Sequence, residues 1–424
     1  MAYWDGDAVQ GIDLRGNKLT SLPDAIVHLL DLQKVTQDGL VRVLPHAAYP
    51  DFTRSSLRSL LLGHNELQDL PQAIGLFAGL RTLDLAHNKL ASLPDSIGLL
   101  SALQTLDLRG NKLTRLPDSL GLLSTLQTLN MAENQLLVLP DSMTQLAALQ
   151  WLYLAVNQLT ELPNNIGKLT ALVTLDVREN QLMLLPMSIG CLSVLEVLDL
   201  RDNQISALPE SIGLLLALQT LDLRDNELAP QESCGLADTA MEVLPVSLGL
   251  LRRLRRLNLA SNNLTSISDS ICALVALQEL CVASNLLTTL PDGVGQLTAL
   301  EMLDARENQL CALPDGFGQL QALQTLYLQG NYLTALPSSI GLLGSLHTLH
   351  LAMNRLKALP SSIGKLQQLH TLLLTGNRLQ ALPASLAHLT GLKTLDVGRN
   401  MFTEPPSSLG KLWELQTVDV FATL

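Results

Sequence analysis

Residues 103–125 read LQTLDLRGNKLTRLPDSLGLLST, and this 23-residue stretch recurs with small changes along almost the whole chain. Its landmark is Asn111, which has counterparts 23 residues before and after it. The equivalent asparagines, which we term the asparagine ladder, are Asn17, then Asn65, Asn88, Asn111, Asn134, Asn157, Asn180, Asn203 and Asn226, then Asn262, Asn285, Asn308, Asn331, Asn354, Asn377 and Asn400. A fixed period of roughly 20–50 residues indicates a repeat architecture. The sequence therefore predicts one elongated domain over 1–424.

Each repeat has the same predicted local structure. The alternating leucines predict a short strand with one buried face. One strand cannot bury its leucines alone, so successive copies must stack. The asparagine side chain offers donors and an acceptor where the chain leaves the strand, and the Leu-Pro proline favours an irregular or short helical return. The prediction is an α/β fold, a right-handed solenoid with a concave parallel sheet of about 17 strands.

The pattern LxxLxLxxNxLxxLPxxIGxLxx resembles leucine-rich repeats of the 23-residue type with a Leu-Pro dipeptide. It is similar to the repeats of Ras-binding leucine-rich-repeat scaffolds, of plant intracellular Ras-group-related repeat proteins, and of Scribble and Erbin. The resemblance implies a horseshoe-shaped fold. It also implies a Ras-like small GTPase, or an associated phosphatase or kinase, as the partner.

Composition restricts the class of protein. The chain is 47% hydrophobic but only 3% aromatic, so its core is built from leucine, and its net charge of -12 argues against nucleic acid or an anionic membrane as the main partner. No stretch approaches about 18 uncharged apolar residues, and the opening MAYWDGDAVQ lacks the regions of a secretory signal. Five cysteines without CxxC spacing favour a cytoplasmic location.

The period breaks at three places. Asn17 and Asn65 are 48 positions apart, which predicts one degenerate repeat over 32–56. Asn226 and Asn262 are 36 positions apart, and 36 − 23 leaves an insertion of 13, at 229–241. This insertion is compatible with a binding loop, a tolerated surface loop or a gene-model artefact. The ends show no clear cap, which suggests self-association or a longer chain.

The predicted strands place three residues per repeat on the concave face, at six, four and two positions before each ladder asparagine. The middle column is rich in aspartate. The arginines of the third column each follow an aspartate of their own repeat, at Arg15, Arg109, Arg178, Arg201, Arg224 and Arg306. The two interpretations are self-neutralisation of stacked carboxylates and guanidinium groups presented to a folded partner.

Two aromatic residues on this face favour partner binding. Trp151 and Tyr153 share one predicted strand, and Trp, Tyr and Arg are enriched at interface hot spots. Arg256 ends the run RRLRR and is expected beside Glu279. The candidate partner-binding residues are Trp151, Tyr153, Asp176, Arg178, Asp199, Arg201, Asp222, Arg224, Arg256 and Tyr327.

No motif for catalysis is present: the chain lacks GxxxxGK[ST], HExxH and GxSxG. His64 and His87, like His347 and His370, fall on neighbouring repeats, too few ligands for a metal. We therefore predict a non-catalytic intracellular interaction scaffold that acts in signal transduction, without cofactor or metal. The alternative is the recognition region of a larger kinase, GTPase, cyclase or ubiquitin-ligase protein.

Overall fold

The structure is a computed structural model that describes residues 2–5, 8–24, 26, 57–229, 243–404, 412 and 414–419. The chain divides into two compact units, Met1–Gln204 and Ile205–Leu424. The predicted degenerate repeat at 32–56 lies outside the described residues, and so does the insertion at 229–241 apart from Ala229. In the part of the chain that the structure describes, no helix combines the length and apolar character needed to cross a bilayer.

The first unit contains nine strands in its described residues. They are β1 (Ala2–Asp5), β2 (Ala8–Asp13), β3 (Ser59–Leu61), β4 (Thr82–Asp84), β5 (Thr105–Asp107), β6 (Thr128–Asn130), β7 (Trp151–Tyr153), β8 (Thr174–Asp176) and β9 (Val197–Asp199). Strands β2 to β9 pair in parallel and in sequence order. Strand β1, which contains Tyr3 and Trp4, pairs antiparallel with β2. The first strand of the parallel series therefore has a partner on each side.

The second unit continues the same parallel arrangement over nine described strands. They are β10 (Thr220–Asp222), β11 (Arg256–Asn258), β12 (Glu279–Cys281), β13 (Met302–Asp304), β14 (Thr325–Tyr327), β15 (Thr348–His350), β16 (Thr371–Leu373), β17 (Thr394–Asp396) and β18 (Thr417–Asp419). Neighbours in this list pair in parallel register.

Short 3-10 helices form the returns. In the first unit they are Gln72–Leu76, Asp95–Leu99, Asp118–Leu122, Asp141–Gln145, Ile166–Lys168 and Met187–Cys191. In the second unit they are Glu210–Leu214, Val246–Leu250, Asp269–Ala273, Asp292–Gln296, Asp315–Gln319, Ser338–Leu342, Ser361–Lys365 and Ala384–His388. The Leu-Pro proline lies directly before most of them, as Pro117 does in an extended conformation. Ser268 replaces it once, and its hydroxyl accepts the N–H of Ser270.

The core is a stack of leucines. In β5, Leu106 is fully buried while Thr105 and Asp107 beside it are partly exposed, and most of the described strands repeat this pattern. Parallel strands, short helical returns and a leucine core confirm the predicted fold class. The described parts of the two units contain eight and nine parallel strands, in agreement with the expected number of about 17.

Within each unit, the asparagine ladder joins a repeat to its neighbour. Asn111 donates to the carbonyls of Leu108 in its own repeat and Leu85 in the preceding one, at 2.9 Å each, and accepts the N–H of Leu90 at 3.0 Å. All ladder asparagines except Asn17 are buried. One side chain thus satisfies three backbone groups at a place where water has no access.

A second contact between repeats lies on the returns, where a glycine meets a serine of the next repeat. A Cβ atom on Gly121 would overlap the backbone oxygen of Ser142, and Gly98 has the same relation to Ser119. Cys272 and Gly293 invert the pair, with the small residue in the later repeat. Where Thr144 replaces the glycine, the following helix shortens to Ile166–Lys168. Glycine therefore sets how closely successive returns approach.

Candidate functional site

The candidate site lies on the face of the sheet that the returns do not cover, here termed the open face. It consists of the first and third residues of each strand and the residue two positions further on. The strand pattern places Trp151 and Tyr153 there, partly exposed on either side of buried Leu152.

The aspartate column of the open face has a structural role that sequence reasoning missed. Asp107 Oδ1 accepts the backbone N–H of Arg109 at 3.0 Å, and Asp176 accepts that of Arg178 at 3.2 Å. Asn130 makes the same bond with the N–H of Ala132. Each carboxylate or amide therefore satisfies the donor where its strand ends, as Asx turns do elsewhere. The signal was that Asn substitutes for Asp in this column.

Most arginines of the open face form ion pairs with neighbouring carboxylates. Arg201 donates Nη2 to Asp199 at 2.7 Å, in a two-pronged pair. Arg15 binds Asp13 in the same way, and the side-chain hydrogen bond lowers the pKa of that carboxyl to about 2. These contacts support self-neutralisation of the column.

Arg109 and Arg178 depart from this pattern. Arg109 reaches Glu133 in the next repeat, with Nη2 at 2.5 Å from Oε1. Arg178 lies between two carboxylates but farther from both, 3.7 Å from Asp176 and 4.0 Å from Asp199. Its side chain is about two-fifths exposed. Arg178 therefore lies near two carboxylates but forms a two-pronged hydrogen-bonded pair with neither.

A depression of about 230 Å³ opens between these two arginines. In the two intervening repeats the arginine column carries Ala132 and Ala155, which leave a gap in the row of side chains. The lining comprises Arg109, Asn130, Ala132, Glu133, Tyr153, Ala155, Val156, Asp176 and Arg178. The structure thus brings Tyr153, Asp176 and Arg178 together with residues that sequence reasoning did not single out. The pair of alanines was the available signal.

Burial changes the electrostatics of two aspartates here. Burial raises the pKa of Asp176, and the neighbouring Asp199 raises it further, against the opposing hydrogen bond from Arg178. Burial likewise raises the pKa of Asp107, whose nearest arginine is engaged with Glu133. Burial therefore disfavours the ionised form of both carboxyls.

The remaining candidate residues lie in the second unit. Asp222 accepts the N–H of Arg224, whose Nε pairs with Asp225 at 2.9 Å. Arg256 is exposed and in register with Glu279, as predicted from the spacing. Tyr327 is three strands further on, in register with His350, its ring edge-on at 6.3 Å. Tyr327 is therefore separate from the Asp222 and Arg256 strands.

Four of the described histidines form two stacked pairs, and the four described cysteines are free thiols. His64 stacks on His87, and His347 on His370, with ring centroids 4.6 and 5.4 Å apart. Within the described residues no group of three or more His, Cys, Asp or Glu side chains is placed to hold a metal ion. Burial raises the pKa of Cys281 to about 11, so its thiol is protonated and weakly nucleophilic near neutral pH.

A larger depression of about 550 Å³ lies on the returns of the first unit, away from the open face. Asp69, Asp95, Asp118 and Arg115 line it together with the Leu-Pro segments. Its walls are equivalent positions of successive repeats, so the repeat itself generates this furrow. We assign it no function.

Family models identify the repeat class. The model described as leucine rich repeat matches residues 55–113, 252–310, 276–333 and 344–402. The model described as leucine-rich repeat region matches 96–184, and a further leucine-rich-repeat model matches 194–215. No match was found among curated proteins.

Solved structures agree with these models. The chain is 34% identical to a leucine-rich-repeat protein of Leptospira interrogans, covering 96% of this chain and 94% of that one with a TM-score of 0.80. It is 27% identical to a TDR receptor, covering 96% and 67% with a TM-score of 0.74. The functional domain of InlJ from Listeria monocytogenes shares the fold at 24% identity, covering 81% and 68% with a TM-score of 0.65. The chain belongs to the leucine-rich-repeat proteins.

The family sets a general expectation of function. Leucine-rich-repeat domains generally mediate protein–protein interaction, and the fold is typically a non-catalytic scaffold. The leucine-rich-repeat class predicted from the 23-residue period is confirmed by the family models and by the Leptospira interrogans structure.

Proposed function

We propose that this protein is a non-catalytic interaction scaffold that binds a folded protein on the open face of its first unit. The observation that carries the proposal is the depression between Arg109 and Arg178, with Tyr153 in its lining and Trp151 on the same strand. Trp, Tyr and Arg are enriched among the few residues that supply most of the binding energy at protein interfaces.

The size of the depression favours a macromolecule over a small ligand. At about 230 Å³ it is smaller than the roughly 300–1,000 Å³ of small-molecule pockets. A partner side chain or turn would fill it, while its surroundings contact the strands on either side. The parallel strands hold these residues on a rigid backbone, so little backbone conformational entropy is lost on binding.

The partner class rests on resemblance alone. By likeness to Ras-binding scaffolds, we propose a Ras-like small GTPase, or a phosphatase or kinase that acts with one, in signal transduction. The cytoplasmic location that this requires stays a prediction from cysteine usage, and the four cysteines within the described residues are free thiols.

The test compares proteins captured from cell extract by the intact chain and by a variant with Trp151→Ala, Tyr153→Ala and Arg178→Ala. The matched control, Val246→Ala, Leu250→Ala and Arg253→Ala, removes two large exposed side chains and one arginine from the returns of the second unit. Partners lost by the first variant and kept by the control support the proposal. Partners kept by both contradict the proposed site.

A purified Ras-like GTPase tests the partner class separately. Its affinity for the intact chain is measured by titration in the GTP-analogue and GDP states. Binding that depends on the nucleotide, and that is lost in the variant with Trp151→Ala, Tyr153→Ala and Arg178→Ala, supports a Ras-like GTPase as the partner. If the GTPase does not bind, it is excluded as the partner class. The capture experiment still tests whether the open face of the first unit is the binding site.

A further inference from the structure

The second unit has another continuous surface, where the chain leaves its strands. The residue after each ladder asparagine donates its N–H to the preceding repeat: Arg355 N to Leu333 O and Arg378 N to Leu356 O, at 2.9 Å each. These bonds align successive residues at the roughly 5 Å spacing of paired strands. The surface, here termed the second-unit flank, consists of Tyr332, Arg355, Arg378 and Met401, which directly follow ladder asparagines, and of Met353 and Arg399, which directly precede them.

Large apolar side chains are exposed on this flank. Tyr332 is 41% exposed, Met353 61% and Met401 53%. Met353 extends over Gly376, where its Sδ lies 2.6 Å from the position that a Cβ would occupy. Glycine therefore makes room for a methionine that is left largely in water. Exposed Tyr and Met beside Arg is the composition of protein interface cores.

The three arginines of the flank lack acidic partners. Among the described residues, no carboxylate lies within 4.0 Å of the guanidinium of Arg355, Arg378 or Arg399. Arg355 stacks on Tyr332 instead, with Cζ 4.0 Å from the ring centroid. Stacking uses the flat face of a guanidinium and leaves the N–H donors at its edge for a planar carboxylate.

The equivalent column in the first unit contains an ion pair across repeats. There Lys89, which also follows a ladder asparagine, pairs with Glu66 at 2.7 Å. A cation in this column can therefore pair with a carboxylate of the neighbouring repeat. Among the described residues, the arginines of the second-unit flank form no such pair.

We propose that the second-unit flank binds an acidic, amphipathic segment of a protein partner. Its carboxylates would pair with Arg355, Arg378 and Arg399, while its apolar side chains cover Met353 and Met401. The chain as a whole has a net charge of -12, so an acidic segment is repelled by most of the molecule and attracted here. Complementarity of charge therefore selects both the partner and the location.

This surface does not depend on the function proposed for the first unit. It uses none of the residues around Tyr153, and its partner is defined by different chemistry. Loss of one interaction without the other is therefore a distinguishable outcome.

The probe is a fluorescein-labelled peptide with a repeating Glu-Glu-Leu sequence, titrated with the full chain by fluorescence anisotropy at about 0.1 M salt. Peptides with Gln-Gln-Leu and Glu-Glu-Ser repeats remove the charge and the apolar groups in turn. We expect each to bind about tenfold more weakly than the Glu-Glu-Leu peptide, because both kinds of contact are needed. Equal binding of the Glu-Glu-Ser peptide, or of oligo-dT of the same charge, overturns the proposal in favour of a general polyanion surface.

The variant Arg355→Gln with Arg378→Gln locates the interaction. Its matched control, Arg253→Gln with Arg255→Gln, makes the same change in charge at exposed arginines elsewhere in the second unit. We expect affinity to fall about tenfold in the first and less than about twofold in the second. An equal loss in both would show that only net charge matters. No loss in the first variant excludes the flank. Circular dichroism establishes that both variants are folded.

Discussion

The asparagine ladder and the aspartate column are both polar columns with a 23-residue period, yet they differ in how far they are committed to the fold. Asn111 is buried and bonds to backbone groups of two repeats. Asp107 is partly exposed and bonds to one N–H of its own repeat. The ladder position is asparagine in every described repeat, whereas the aspartate position also accepts Tyr153, Cys281 and Leu373. Contacts between repeats restrict sequence, and the open face is where sequence is free to serve binding.

The largest expected effect is at the ladder. Asn111→Ala leaves the buried N–H of Leu90 without a partner and removes one of the two amide donors to the carbonyls of Leu85 and Leu108, so we expect the free energy of unfolding to fall by about 3 kcal/mol. Urea denaturation followed by circular dichroism measures it. Asn17→Ala is the control, because Asn17 is the exposed member of the ladder and should cost about 1 kcal/mol or less. Equal losses would show that burial does not distinguish the two.

A smaller loss is expected at the contact between returns. In Gly121→Ala the added methyl overlaps the backbone oxygen of Ser142, and over-packing of this kind costs about 1–3 kcal/mol. Gly344→Ala places its methyl in open space and should change stability by less than about 0.5 kcal/mol. If both variants unfold at the same urea concentration, the glycine does not set the spacing of the returns.

The aspartate column should respond less, and in a direction that depends on the replacement. Asp107→Ala removes the acceptor for the Arg109 N–H and should cost about 1 kcal/mol. Asp107→Asn keeps the acceptor, as Asn130 does in the next repeat, and removes a charge that burial disfavours. We therefore expect the Asn variant to be slightly more stable than the native protein at neutral pH.

The pH dependence checks the cause. The folded pKa of Asp107 is raised, so this carboxyl favours folding when protonated, and that contribution is lost as pH rises through the folded pKa. The advantage of Asp107→Asn should therefore be present at neutral pH and disappear once the pH falls below the ordinary carboxyl range. An advantage that persists in acid contradicts this explanation.

The sequence predicted the fold because period, Leu-Pro and asparagine are properties of every repeat. It predicted which residues face outward, since strand periodicity decides that, and Trp151, Tyr153 and Arg178 lie on the open face. It missed Glu133 as the partner of Arg109, because the nearer Asp107 was the expected one. Which carboxylate a long arginine reaches depends on side-chain geometry across repeats, and spacing along one strand does not contain it.

The sequence also did not reveal the backbone conformation of the residue directly before each ladder asparagine. Val156 is one of these residues, and its substitution gives the smallest predicted change in stability. Backbone with positive φ recurs directly before the ladder asparagines, and Val156, at φ 57, is the only β-branched residue there among the described repeats. This conformation is costly for such a side chain, so Val156→Asn should raise the free energy of unfolding by about 0.5–1 kcal/mol. Val156 also lines the depression beside Tyr153. If its strain serves binding, the more stable variant should bind the captured partner more weakly. Ser284→Asn, at the same backbone position in the second unit, is the control and should change neither quantity measurably. Unchanged affinity in Val156→Asn would separate this residue from the binding site and leave its strain without a function.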